Sequence, residues 1–348
     1  MPVPCGNLKV FSHSSQLHFI DNVSGDIITS FGGIIEGMID GKTFSVNVGN
    51  SLLRFVSRIR ILSRLFRTNR INVLKIAESI LLIIYMKDVY LYDLQSNTLK
   101  KVFRFPLTRY VHTQSISVHG KRVVIGEYGN IGRKKPVGVF ISNDAGAKWE
   151  FKNIFKKNSV KNILAVKFDE YDEHYWVFTG DSQRESGIYR FNKEFTFGKP
   201  IGLGLDFRGI SSFHLPDKVI WLTNNPFGKS HVRIYCRRSE KTTTGAALPG
   251  PVWYSAQFKS EAFCCTAAED VAGLAGKNVF LLHSRNLVEW KVITKFKKDR
   301  FNKRLFLYGL GTFPQMNTCN LNIYLNLDAV NEFDGCVIEI PRNLSKLA

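Results

Sequence analysis

Ser142-Asn143-Asp144-Ala145-Gly146-Ala147-Lys148-Trp149 is the stretch whose reading decides the fold. Asp144 can accept hydrogen bonds from turn amides, as aspartate does in short loops. Gly146 supplies a position able to take a positive φ. Trp149 supplies a large side chain to pack between sheets. The pattern predicts a tight hairpin turn, entered from Val139-Phe140-Ile141 and left through a strand over 149–155. Residues 284–290 carry a reduced copy, Ser284 to Trp290, without the aspartate and the glycine.

Outward from this hairpin the same strand recurs. It is seen as Val89-Tyr90-Leu91-Tyr92, Ile188-Tyr189-Arg190-Phe191, Ile234-Tyr235 and Val279-Phe280-Leu281. Successive copies lie roughly 45 to 50 residues apart, near the blade period of propellers. Two further strand-like runs joined by a polar turn precede several of them, as in 116–125, 163–178 and 210–222. Four antiparallel strands per repeat predict an all-β fold, a β-propeller. Blades are expected at 70–105, 113–155, 160–200, 207–257, 258–296 and 302–341. The strand-rich segment 8–48 makes a seventh blade; six blades is the alternative if it only helps to close the ring. The whole chain, 1–348, is expected to be one propeller domain.

One segment interrupts the strands. Residues 52–70 read as an inserted amphipathic helix, with Leu52, Phe55, Val56, Ile59, Leu62 and Phe66 on one face. Arg54 and Arg58 flank that face on one side, and Arg60, Arg64 and Arg67 on the other. Arginines that border an apolar stripe can reach lipid headgroups while the stripe enters the interface, so these five are expected to bind membrane. A helix packed across the propeller and a partner-protein interface are the alternatives. The formal net charge is +19, which favours phosphate-bearing partners: anionic lipid, a sugar-phosphate or nucleic acid. No nucleic-acid-reading motif accompanies that charge, so nucleic acid is not the expected partner. The six cysteines show no metal-like spacing and are expected to be reduced. No metal or other cofactor is predicted. The first eleven residues lack a secretion signal, and the run 80–86 is too short to span a bilayer. The expected location is the cytoplasm, at the inner membrane face if the helix binds lipid.

The quoted octapeptide matches S-x-D-x-G-x-x-W, the Asp-box of sialidases and their relatives, so the propeller resembles the sialidase-like type. More widely, 126–299 resembles a family of sialidase-like propellers associated with bacterial surface-polysaccharide gene clusters. The resembling pieces are Gly126-Glu127-Tyr128, Thr179-Gly180-Asp181, Phe207-Arg208, 266–269 and Lys297-Lys298-Asp299. The resemblance implies a context in polysaccharide biosynthesis rather than a reaction. The chain departs from the family at 162–164, where a histidine-rich strand start is expected, and at Asn224-Asn225, where an acid is expected. Phe103-Arg104-Phe105-Pro106 resembles the arginine motif that opens sialidases, yet no acid follows in 129–136 and no nucleophile pair is apparent.

Glu127, Asp181, Asn225 and Glu269 each follow the second strand of a predicted blade. Their separations of 54, 44 and 44 residues match the repeat. They are expected to form a partial ring around one mouth of the propeller. Arg208 and His112 begin inner strands on the same side, and Arg133, Lys134, Arg184 and Lys229 lie in the loops. Glu127, Asp181 and Glu269 are the candidate catalytic residues, since carboxylates among cations can do acid–base work on a sugar. Arg208, Tyr128, Arg133, Arg184, Asn225 and His112 are the candidate substrate-binding residues, the cations holding a phosphate. The alternative is that these acids serve only to join blades. His174, His214 and His283 have no evident partners in sequence and read as structural. Three functions fit: glycosyl transfer from a phosphate-linked sugar in polysaccharide assembly, glycoside hydrolysis, or glycan binding without catalysis. No Gly-rich nucleotide loop supports the first, and oligomeric state is not legible.

Overall fold

Apolar runs of five to seven residues alternate with polar turns along the chain, and they form seven sheets, antiparallel but for one short parallel pairing. The fold is an all-β seven-bladed propeller, so the segment 8–48 resolves in favour of seven blades. The computed structural model describes residues 8–13, 15–106, 108, 110–129, 135–259, 261–269, 276–317 and 319–342. The chain groups into two compact units. The first comprises 1–74, 226–229 and 249–348, and the second 75–225 and 230–248.

The second unit carries the sheets of 71–104, 116–153, 162–203 and 209–248, its boundary falling at the end of the strand Ile71–Lys75. Each sheet runs in sequence order from an inner to an outer strand. The second strand of each is covered on both faces, so it reads as an unbroken apolar run. Ile80–Tyr85, His174–Gly180 and Lys218–Thr223 are buried along nearly their whole length. The outer strands are half exposed and polar, as Thr98–Arg104 and Lys241–Leu248 show. Val124, Val139, Ile163, Val166 and Val177 pack together between the sheets, and Trp176, Phe178, Trp221 and Tyr235 form a further core cluster.

The Ser142–Trp149 turn joins the third and fourth strands of its sheet, Gly138–Ser142 and Glu150–Asn153. The Lys148 amide donates to Asp144 Oδ1 at 2.8 Å, and the Gly146 amide donates to Ser142 Oγ at 2.8 Å. The Lys148 amide and the Ser142 hydroxyl, which donates to the same Oδ1, hold the Asp144 carboxyl below its ordinary value. Gly146 takes φ 85°, where a side chain would be strained, with methyls of Leu82 and Leu91 3.2 Å from the place of a Cβ. The Trp149 indole donates to Gly146 O and stacks on Phe103. The copy at 284–290 keeps the same device with different residues. Asn286 Oδ1 accepts from the amides of Val288 and Glu289, and the Trp290 indole donates to Leu287 O.

In the first unit, Gln16–Asp21, Asp26–Phe31, Ile34–Ile39 and Lys42–Asn47 form one sheet, with the short strand Gln315–Met316 parallel to its first member. A second sheet spans 252–297. Its opening strand, Val252–Phe258, was expected to close the preceding blade. The polar strand Lys241–Leu248 takes that place instead. The third sheet holds Leu310–Thr312, Asn322–Asp328 and Cys336–Pro341, and is completed on its edge by Lys9–His13. Cys264 and Cys265 are both fully buried in their strand, and Cys236, Cys264, Cys265, Cys319 and Cys336 are free thiols. Cys5 lies outside the described residues.

The expected single helix over 52–70 is two: α1, Ser51–Arg58, and α2, Arg60–Phe66. Asn50 caps α1 by accepting from the Leu53 amide. Ile59 breaks the helix by taking extended dihedrals, and Arg67 ends α2 in the left-handed region. A short third helix, α3, Lys303–Phe306, packs on α2. The membrane-binding assignment of Arg60 and Arg64 is corrected. Arg60 pairs with Asp328 and Asp334, and Arg64 is 2% exposed, with its guanidinium on Asp299, Asp334 and the Phe306 carbonyl. Their charges are spent inside the unit. Arg58 is exposed, while Arg54 and Arg67 are half-buried.

Candidate functional site

Glu127 follows the strand Arg122–Gly126 directly, and Asp181 follows His174–Gly180 directly. Asn225 and Glu269 stand two and three residues beyond their strands, Lys218–Thr223 and Glu261–Thr266. The second unit holds Glu127, Asp181 and Asn225; Glu269 belongs to the first and is described separately.

The backbone at Glu127 is fixed from both sides. Its amide donates to Gly138 O at 3.0 Å, and its carbonyl accepts from the Ile163 amide at 2.9 Å. The carboxylate is 2% exposed and accepts a bond from the Gly138 amide at 3.3 Å. Burial pushes its pKa up to about 7, against the pull of that amide and of Lys135. A carboxyl so placed exchanges its proton near neutrality, as a general acid or base must.

Asp181 is half-buried and held by two donors at one oxygen, Lys161 Nζ at 2.9 Å and Asn162 Nδ2 at 2.6 Å. Asn162 in turn accepts from the Gly129 amide at 2.6 Å. One hydrogen-bonded chain therefore ties the segment after Glu127 to the segment after the neighbouring sheet's second strand. Tyr128 lies beside it. Its ring centroid is 4.6 Å from that of Tyr110 and 6.2 Å from that of His112. Burial, the Tyr110 hydroxyl and Asp181 together push the Tyr128 phenol far up, while Arg208 pulls it the other way.

Arg208 is 6% exposed and donates to both the backbone and the side-chain oxygen of Asn224. It does not open a strand as expected; it closes a 3₁₀ turn over 205–207, just ahead of Gly209–His214. Gly180 makes room for it. A Cβ there would stand 2.8 Å from Arg208 Nε. His112 also sits ahead of its strand. Its Nδ1 accepts from the Gln114 amide and so caps the 3₁₀ turn 113–115. Arg184 lies exposed on the turn after Asp181, and Asn225 is half-buried with its amide on Ser230 Oγ. Lys229 is exposed. Arg133 and Lys134 lie outside the described residues.

Four residues of this cluster went unpredicted: Tyr110, Lys161, Asn162 and Asn224. Tyr110, Lys161 and Asn162 stand at or ahead of the first strand of a blade, the register that singled out Arg208 and His112. Asn224 occupies the position where an acid was expected, and its side-chain oxygen accepts from Arg208 as a carboxylate there would.

In the first unit Glu269 is 8% exposed and accepts from the Trp253 indole at 3.3 Å. The ring of Tyr308 lies 6.3 Å from that of Trp253. An acid after a second strand with an aromatic group beside it thus occurs in both units. The histidines read as lacking partners have them. His214 Nδ1 is 2.9 Å from Asp169, His283 Nε2 is 3.0 Å from Glu261, and His174 contacts Asp172. Among the described residues no group of three His, Cys, Asp or Glu could hold a metal ion.

The fold and this cluster define a class, a seven-bladed β-propeller with a polar and aromatic site at the ends of its second strands. No protein-family model and no curated protein matches the chain. Solved structures do. The tricorn protease is 11% identical with a TM-score of 0.57, over 97% of this chain and 34% of that one. The extracellular domain of a putative hybrid two-component system from B. thetaiotaomicron is 12% identical with a TM-score of 0.55, over 97% and 39%. An oligogalacturonate lyase from Vibrio parahaemolyticus is 9% identical with a TM-score of 0.55, over 97% and 99%. This chain spans little more than a third of the length of the first two. At these identities the likeness is one of fold.

Proposed function

We propose that the second unit binds a phosphate-linked sugar and that the protein is a carbohydrate-active propeller of bacterial surface-polysaccharide assembly. The observation that carries this reading is the cluster of Tyr110, His112 and Tyr128 rings next to the hydrogen-bonded chain Gly129–Asn162–Asp181, with Arg208 packed on Gly180, the residue before Asp181. Stacked rings offer an apolar face to one side of a sugar, and a few fixed polar groups orient it. Arg208, held in place by Asn224, supplies the fixed cation for an anionic group. Glu127, with a value near 7, is suited to move a proton at the glycosidic oxygen or at an attacking hydroxyl. The S-x-D-x-G-x-x-W turn and the resemblance of 126–299 to sialidase-like propellers support the carbohydrate context. The bonds from Lys161 and Asn162 favour a positioning role for Asp181 over that of a second catalytic carboxylate. For that reason transfer or binding is favoured over two-carboxylate hydrolysis.

The test is titration calorimetry with a panel of sugar 1-phosphates, the parent sugars and inorganic phosphate. At least one sugar 1-phosphate is expected to bind better than its parent sugar. Arg208→Ala should weaken it at least about tenfold, the worth of one charge-assisted contact. Tyr128→Ala should weaken the parent sugar as well. Glu127→Gln should leave binding intact and remove turnover. A panel in which nothing binds, or binding indifferent to both Arg208 and Tyr128, overturns the reading.

A further inference from the structure

The helix pair α1–α2 is polar inside and apolar outside, the reverse of a helix on a water-facing surface. Leu52 is 69% exposed, Phe55 61% and Phe66 58%, and Ile59, Ile61 and Leu65 are exposed with them. Leu305, on the adjoining α3, is exposed too. The buried side holds Ser57, Ser63, Arg64 and Thr68. Ser57 Oγ donates to Leu53 O and shares a hydroxyl–hydroxyl hydrogen bond with Thr68 Oγ1 at 2.8 Å. Arg60 and Arg64 are clamped by Asp299, Asp328 and Asp334. An apolar outer face held in place by polar bonds on its inner side is not one left over from a core. It is built to be presented, and large exposed apolar patches mark interaction surfaces.

Charge narrows the occupant. The stretch 51–70 contains six arginines and no acidic residue. The three aspartates neutralise two of them, Arg60 and Arg64. Arg54 and Arg58 of α1 stand on the same element as the apolar side chains. An apolar wedge of leucine, isoleucine and phenylalanine in an arginine frame fits the headgroup region of an anionic bilayer. There the side chains enter the acyl boundary and the guanidinium groups meet phosphate. No helix among the described residues is long and apolar enough to cross a membrane.

We infer that α1–α2 is an interfacial docking element by which this protein seats on an anionic lipid surface. Its lipid-facing set is Leu52, Phe55, Ile59, Ile61, Leu65 and Phe66. Arg60 and Arg64 are the rivets that hold it to the sheet beneath and take no part in lipid contact.

The experiment is flotation of the full chain with phosphatidylcholine vesicles, alone and doped with phosphatidylglycerol. It is paired with sedimentation velocity in the absence of lipid. The wild type should float with the doped vesicles and stay at the bottom with phosphatidylcholine alone. Phe55→Ser combined with Phe66→Ser exchanges only exposed groups and should fold. It should lose flotation. Arg54→Gln combined with Arg58→Gln should lower partitioning roughly tenfold or more, as two cations near an anionic surface imply. Wild type that stays at the bottom with doped vesicles overturns the inference. So does flotation unchanged in the Phe55/Phe66 variant. Self-association of the wild type that this variant abolishes, without flotation, would assign the face to a second copy of the chain and overturn it equally.

Discussion

Replacing Glu127 by glutamine removes a carboxyl that the fold holds against its own preference. The group is 2% exposed, and the hydrogen bond it accepts from the Gly138 amide can also be accepted by an amide oxygen. Burial raises its value from 4.5 to about 7. A carboxyl whose folded value lies above its unfolded one favours the folded state when protonated. The contribution is therefore fully present below pH 4.5 and is lost as pH rises through about 7. The gap, at about 1.4 kcal/mol for each pH unit, amounts to about 3 kcal/mol of stability surrendered on the alkaline side. Glu127→Gln should thus match the wild type in mild acid and exceed it above neutrality. With an unfolding entropy of about 2.1 cal/mol/K per residue, the gain corresponds to about 4 °C in Tm. The assay is differential scanning calorimetry of both proteins across this pH range. A Tm difference that does not change with pH, or a wild type that gains on the variant as pH rises, would refute the reasoning. Stability gained with activity lost would mark Glu127 as a residue retained for chemistry.

Asp169 should behave in the opposite sense. Burial acts to raise it, but the His214 bond and the Arg237 ion pair at 2.7 Å outweigh burial and hold it down to about 2. Its stabilisation is present above the ordinary 3.8 and is lost as pH falls through about 2. Urea midpoints should therefore show about 2 kcal/mol less acid sensitivity in Asp169→Asn than in wild type. Arg64→Met removes the buried cation that Asp299 and Asp334 share, leaving them Lys298 and Arg60 alone, and should cost about 3 kcal/mol in thermal melts. Arg58→Ala, on the exposed side of the same helix pair, should stay within about 0.5 kcal/mol. Gly180→Ala places a methyl 2.8 Å from Arg208 Nε and 2.9 Å from Leu164 Cδ1. It should cost about 1–3 kcal/mol by overpacking and weaken sugar-phosphate binding in the same calorimetric panel.

The blades were legible because their second strands are buried on both faces, which leaves unbroken runs such as Ile80–Tyr85 at a fixed period. One boundary slipped where that rule gives no signal. Lys241–Leu248 is an exposed outer strand of threonine, glycine and alanine, so the apolar Val252–Phe258 was read in its place. The helical period of 51–66 was equally plain, but its orientation was not. Which side faces inward depends on Asp299, which lies 235 residues from Arg64, and on Asp334, which lies 270 away. Counting by repeat found Glu127, Asp181 and Glu269. It passed over Tyr110, Lys161 and Asn162, because single polar residues ahead of an inner strand carry no periodic pattern. Asn286 shows the same limit in another form. A hydrogen-bonded turn survives there after the letters of its motif have gone.

The pairing of Lys9–His13 with Cys336–Pro341 has a consequence for how the chain is made. Lys9 lies opposite Glu339, and Gln315–Met316 lies along Gln16–Asp21, so two sheets each need residues that are far apart in the sequence. A ribosome adding about 5–20 residues per second delivers the second partner roughly 15–60 s after the first. Over that interval Lys9–His13 is an open strand edge, a template for pairing with the wrong chain. The second unit draws on one nearly continuous stretch, 75–248, and can mature while translation is under way. The first must finish after it. A factor that sequesters extended nascent segments would therefore raise the yield of the intact chain, and would do little for 75–248 expressed alone.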